Sequence, residues 1–494
     1  MRTALFTLPA ILFSPSILAQ TNNEQVLGVY IFHRHGDRTA KSTPPVNLTT
    51  LGYDGVLSSG QYYRSRYITS GSGFAINGIS IDIVVQSQIS VSAPQDVVLQ
   101  NSATGFLQGL YPPVGELLAA SSLRNGSKVD APLNGYQLVP VNSVAGGSGS
   151  EGNAWLQSAS GCNQATTSSN RFFSSAEYSD LLGTTQGFYD GLYPLVNSTF
   201  NQSQVNFKNA YSIYDLINVA GIHNSSFDEA GRVTQDVFSR LQTLADAHEW
   251  GLAYNESESV AGNVRGVSAM VLAGQILDFL NGTLSTNGNQ KIAIQFGAYA
   301  TFSSFFGFAE LPQVDPNFRG IATYASSMVF ELFTNSSTAA SDDPASDVYV
   351  RFLFSNGTAS TDAAPSAYPL FGSQQEALSW RDFTAGMQKF AVSSTNQWCN
   401  VCGNSDGVCA ASKTSSSNGS SIPASSLLAN DYAGDGSSPA VNGVIGAMVT
   451  LAVVLGLEMI VVFLGGWRIV SKRRLRVVDS ITAETAIEHS TKLN

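Results

Sequence analysis

Residues 26–32 form an unbroken apolar run, the pattern of a strand buried on both faces. A short polar stretch rich in histidine and arginine follows it. From 54 to 68, apolar positions recur at helical spacing, and 81–86 return to a short apolar run that reads as a second strand. This alternation predicts an α/β fold, a doubly wound and mostly parallel sheet with helices on both faces. Between about 120 and 285 helical patterns dominate, at 176–193, 232–254 and 261–280. Strand-like runs then return at 292–296, 327–330 and 348–354.

The two ends of the chain carry apolar runs of a different kind. Arg2, an apolar core at 5–18 and the small residue Ala19 predict a secretory signal at 1–19. Residues 443–467 are nearly all apolar or small, long enough for one transmembrane helix, and Trp467 suits an interface anchor. Arg468, Lys472, Arg473, Arg474 and Arg476 follow at once and place the tail, 468–494, in the cytoplasm. Glu458 lies inside the span, where an ionisable group seeks a partner, and Gly456 permits close packing; helix–helix association through the span is one reading, a protonated Glu458 the other. Residues 411–442, rich in Ser, Ala, Gly and Asn, read as a stalk. The expectation is a single-pass type I protein of the cell surface or secretory-pathway membrane, with residues 20–410 as a folded domain outside.

Composition agrees with that placement. Only 12% of the 494 residues are charged, about half the usual share. Ten N-x-S/T sequons mark glycosylation candidates at Asn47, Asn125, Asn197, Asn201, Asn224, Asn255, Asn281, Asn335, Asn356 and Asn418. The four cysteines, Cys162, Cys399, Cys402 and Cys409, predict two disulfides with three pairings open. Residues 20–442 carry 18 basic and 32 acidic side chains, a net charge of about −14. That balance argues against nucleic acid as a partner.

The densest chemistry is Phe32-His33-Arg34-His35-Gly36-Asp37-Arg38-Thr39, directly after the first strand. Arg34 and Arg38 are planar, permanently charged forks suited to phosphate oxygens. His35 between them is a nucleophile of the kind that carries a phosphoryl group. The ligand this set implies is phosphate or a phosphomonoester, with no metal and no organic cofactor.

The stretch resembles the RHGxRxP signature of the histidine acid phosphatases, with Thr39-Ala40 where the family has proline. Further matches follow in the family's order. Thr49-Thr50-Leu51-Gly52, Gly60-Gln61 and Arg64-Ser65-Arg66-Tyr67 resemble its LTxxGxxQ and LRxRY segment. Ser102-Ala103 and Gly109-Leu110-Tyr111-Pro112-Pro113 resemble its SA and GLYPP segment, and 324–332 and 350–356 its late strands. The resemblance implies a phosphoglycerate-mutase-like core, about 25–120 and 285–410, with a helical cap domain inserted at about 120–285. It also implies a two-step hydrolysis through a phosphohistidine on His35.

The resemblance breaks at two catalytic places. The family's third phosphate-binding arginine falls on Gln86 or Ser92, depending on register, and no Arg or Lys lies between Ile81 and Ser102. The family's late His-Asp pair falls on Tyr299 and Ala300. Tyr299 is a weak candidate acid, since an ordinary phenol has a pKa of about 10. His248-Glu249 is a displaced alternative, but it sits in a helical pattern where polar pairs usually form a solvated face. Arg265 reads as core packing rather than a pocket residue. Two functions remain open: a weak phosphoric monoester hydrolase, or a non-catalytic pseudophosphatase serving as a surface receptor or structural glycoprotein.

Overall fold

The computed structural model describes residues 24–115, 120–144, 161–285, 289–335, 347–407 and 409–410. The signal at 1–19, the stalk, the span at 443–467, the tail and the Asn418 sequon lie outside the described residues.

One sheet organises the domain. Its strands are β1 (Gln25–Arg34), β2 (Ile89–Pro94), β3 (Asn142–Val144), β4 (Ile292–Gly297), β5 (Ser327–Thr334), β6 (Val348–Ser355) and β7 (Ala377–Ser379). They lie in the order β7-β6-β5-β1-β4-β2-β3. Pairing is parallel through β1, β4, β2 and β3, and antiparallel from β1 outward through β5, β6 and β7. Ser366–Ala367 adds a short strand to β6.

Period-two alternation along β1 sends its side chains to two cores. Val29 and Ile31 pack with helices α1 (Thr50–Tyr67) and α2 (Val97–Leu110). Tyr30 and Phe32 pack on the other face, with α5 (Val267–Ser285) and α6 (Tyr299–Phe308). Helices α1 and α2 touch through glycine: a Cβ on Gly60 would stand 2.1 Å from the Phe106 carbonyl oxygen. Two residues of the matched segments, Gly60 and Gly109, are thus there for backbone approach.

The insertion is helical. It includes Ala176–Thr184, Gln186–Val196, α3 (Ala210–His223) and α4 (Gln235–Ala253), around a core of its own that holds Tyr189, Phe207, Ile213 and Leu241. The single helix expected at 176–193 is two, meeting at Thr185, which is the C-cap of the first and the N-cap of the second. Disulfides join Cys162 to Cys402 and Cys399 to Cys409, and all four cysteines pack in the same core as Tyr30 and Phe32. Eight of the nine described sequon asparagines are exposed; Asn255 is half-buried.

One strand is misplaced by the sequence pattern. Residues 81–86 are not a strand, and Ile81, Ile83 and Val85 of that run are exposed. The strand is β2, three residues further on, with two serines among its six residues and ending at Pro94.

Candidate functional site

β1 ends on Arg34, and the loop behind it is seated by backbone contacts. Arg34 N–H donates to the Ser326 carbonyl at 2.8 Å, and Ala325 N–H donates to that of His35 at 2.9 Å. Gly36 N–H donates to the Ser102 hydroxyl at 3.1 Å. Gly36 also lies on the first turn of α1, where a Cβ would stand 2.3 Å from the Gly52 carbonyl oxygen. Glycine is required on both sides of that contact. Thr49 caps α1 by accepting from Gly52 N–H, and its hydroxyl donates to Asp37 Oδ1. The site therefore lies at the carboxyl end of the parallel strands, where ligands bind in open α/β sheets.

His35 is 1% exposed and its ring packs against Tyr324, centroids 5.5 Å apart. Its Nδ1 lies 2.8 Å from the Gly36 carbonyl oxygen. That carbonyl can only accept, so Nδ1 carries the proton and Nε2 keeps the lone pair. His33, the other histidine of the motif, is a core residue. It is wedged between Phe106 and Phe296, and burial pushes it down to about 4.

The two arginines have separate surroundings. Arg34 donates to the Ala322 carbonyl and lies over the rings of Tyr324 and Tyr299, 4.6 and 5.1 Å from their centroids. Its Nε is buried and without a partner. Arg38 is held by Asp215 of α3 through two bonds: Nη2 to Oδ1 at 2.9 Å and Nη1 to Oδ2 at 3.1 Å. Arg38 Nη2 also donates to the Tyr211 hydroxyl at 3.1 Å. Asp215 is 2% exposed and further accepts from Tyr324 and from Lys41 N–H. Burial works against the Arg38 charge, but Tyr211, Tyr324 and Asp215 outweigh it and hold the guanidinium above its ordinary value. The fork expected to clamp phosphate is occupied by a carboxylate of the cap.

Tyr299 starts α6, and its hydroxyl donates to Glu249 Oε2 at 2.7 Å. Glu249 Oε1 is 2.8 Å from His248 Nδ1. The pair is not a solvated face, as the helical pattern suggested. His248 is 5% exposed and boxed by Phe172, Phe173, Tyr178 and Phe207. Its half-buried neighbour Glu249 turns toward Tyr299. Of the two places for the missing arginine, Gln86 is exposed ahead of β2, whereas Ser92 lies within the strand opposite Gln295 of β4. Arg265 bonds Gly251, Ser168 and Glu258, a packing role.

A cavity of about 430 Å³ opens beside the loop, lined among others by Arg34, Asp37, Asp54, Asp215, Tyr214 and Tyr324. It holds one arginine and three carboxylates. Asp37 is 5% exposed; its Oδ1 meets His223 Nε2 at 2.6 Å, and its Oδ2 has no partner. Burial, and secondarily Asp246, push Tyr214 up to about 12. Sequence reasoning missed Asp215, Asp37 and His223. For Asp215 a signal existed, one acid within the otherwise uncharged apolar helical stretch 210–222.

No family model matches the sequence, and no curated protein matches it. Among solved structures the fold is similar to that of the apo form of Hafnia alvei phytase. The TM-score is 0.51 at 11% identity, covering 78% of this chain and 99% of that one. It is similar too to the phytase from Citrobacter braakii, with TM-score 0.51, 14% identity, and 76% and 99% of the two chains covered. At these identities the likeness is one of fold.

Proposed function

We propose that this chain is a membrane-tethered, extracellular protein of the histidine acid phosphatase family that hydrolyses phosphomonoesters slowly through His35. The observation that carries the reading is His35 itself. It stands between two arginines at the end of β1 with Nδ1 bonded to a carbonyl, which leaves Nε2 as the nucleophile. The order of matched segments and the phytase-like fold support the same reading. The slowness has three causes. Tyr299 and Ala300 supply no carboxylic acid for the leaving group, a loss worth ~10²–10⁴ in rate. No arginine stands at Gln86 or Ser92. Arg38 is committed to Asp215. Asp37 and Asp54 in the cavity also disfavour a polyanion such as phytate, for which the similar phytases are named. Tethering rests on the signal, the late apolar span and its basic stop.

A second reading, a binding protein without turnover, is favoured by the Arg38–Asp215 pair alone. Full-length protein assayed with a generic phosphomonoester across acidic pH, beside His35→Ala, separates the two. Slow turnover abolished by His35→Ala is expected; a rate indifferent to that substitution rejects His35 as the nucleophile. Protease on intact cells is expected to remove residues 25–410 and spare the tail.

A further inference from the structure

The cavity lined by Arg34 and Asp37 is built unlike a plain phosphate pocket. Two of its lining residues carry buried polar atoms of opposite sense with nothing to bond: Arg34 Nε, a donor, and Asp37 Oδ2, an acceptor. Buried polar groups left unpaired are costly, so each calls for a ligand atom. Asp37 stands three residues from Arg34 and two from His35, and both Asp37 and Arg34 line the same cavity. A bare phosphate dianion on Arg34 would face the carboxylate of Asp37, with that of Asp54 exposed at the rim. Asp215 adds little to this repulsion, because Arg38 compensates it. A cation carried by the ligand itself removes the conflict and satisfies Oδ2.

We infer that the site takes a phosphomonoester bearing a protonated primary amine, an amino-alcohol phosphate, with its phosphoryl group on Arg34 and its ammonium donating to Asp37 Oδ2. This rests on the phosphatase reading and names the substrate class within it. The amine must carry N–H groups, since Oδ2 needs a donor; a quaternary ammonium would not serve. Two further features suit an ammonium. Of the lining tyrosines, Tyr324 lies under Arg34 and Arg38 and Tyr211 under Lys41, so the ring face offered to a ligand cation is that of Tyr214. His223 bonds the other oxygen of Asp37 and holds the carboxylate in place.

The test is calorimetry on full-length protein in detergent, with phosphoethanolamine against monoethyl phosphate, which differs by the amine. Phosphoethanolamine is expected to bind at least about tenfold tighter. Asp37→Asn, which preserves the Oδ1 acceptor for Thr49 and His223, is expected to bring the two esters within about twofold. Asp54→Asn, an exposed change that leaves the fold intact, is expected to shrink the advantage by a smaller factor. Equal binding of the two esters in the wild type overturns the inference and leaves the phosphatase reading standing. So does an advantage unchanged in both variants. Failure of both esters to bind overturns the inference and the phosphatase reading together.

Discussion

Glu331 and Asp215 are both buried carboxylates held by arginine, and they differ in what is left over. Glu331, 0% exposed on β5, accepts from Arg66 and Tyr67 on one oxygen and from Arg351, its cross-strand neighbour on β6, on the other. Arg351 continues to Glu24. No buried side-chain nitrogen or oxygen of that set is left without a partner among the described residues. Around Asp215 the pairing is incomplete: Arg34 Nε, Asp37 Oδ2 and Arg38 Nε remain buried without partners. The same chemistry thus serves two ends. A closed network fixes a strand pair to a helix, whereas an open one marks where a ligand completes it.

The sharpest way to break this comparison is to restore the open site. Tyr299→His with Ala300→Asp, Ser92→Arg and Asp215→Asn supplies an acid, a third arginine and a free Arg38. Turnover of a phosphomonoester is expected to rise by ~10²–10⁴ from the acid alone, with non-additive gains from the clamp. A restored variant that folds, binds phosphate and stays inert would mean the pocket has diverged for binding.

The closed network is expected to respond to substitution only in stability. Glu331→Ala leaves the half-buried Arg66 guanidinium without a carboxylate and Arg351 with Glu24 alone, and is expected to cost ~3 kcal/mol in denaturant unfolding. Phosphate affinity should not change.

His33 offers a pH-dependent test of the motif's structural half. Its value is lowered from 6.5 to about 4 by burial, so between those limits the unfolded chain binds the extra proton. Stability is full above pH 6.5 and falls as pH drops toward 4, by about 3 kcal/mol for this group. In His33→Phe that acid-side slope is expected to flatten in thermal melts run across the window.

Smaller still is the effect of freeing one arginine. Asp215→Asn keeps the shape of the side chain and releases the Arg38 fork, and inorganic phosphate is expected to bind about tenfold tighter by calorimetry.

Much of the framework was legible because β1, β4 and β5 are buried on both faces and so read as apolar runs. The second strand was not. Ile81, Ile83 and Val85 imitate a strand on an exposed segment, while β2 hides behind Ser90, Ser92 and Pro94. At the site, the motif from Arg34 to Arg38 announced itself, and the empty places at Ser92, Tyr299 and Ala300 could be read against the family pattern. What held Arg38 could not, because Asp215 lies 177 residues away and only the packing of the cap brings it to the loop. The burial of His248-Glu249 was hidden for the same reason.

Asp215, on this reading, withholds Arg38 from phosphate chemistry. Steady-state turnover of 4-nitrophenyl phosphate by the wild type and Asp215→Asn, side by side, tests it most directly. The expected result is a wild-type rate far below the ~10 s⁻¹ typical of enzymes and a faster Asp215→Asn. A wild type near that typical rate, slowed by Asp215→Asn, would contradict it.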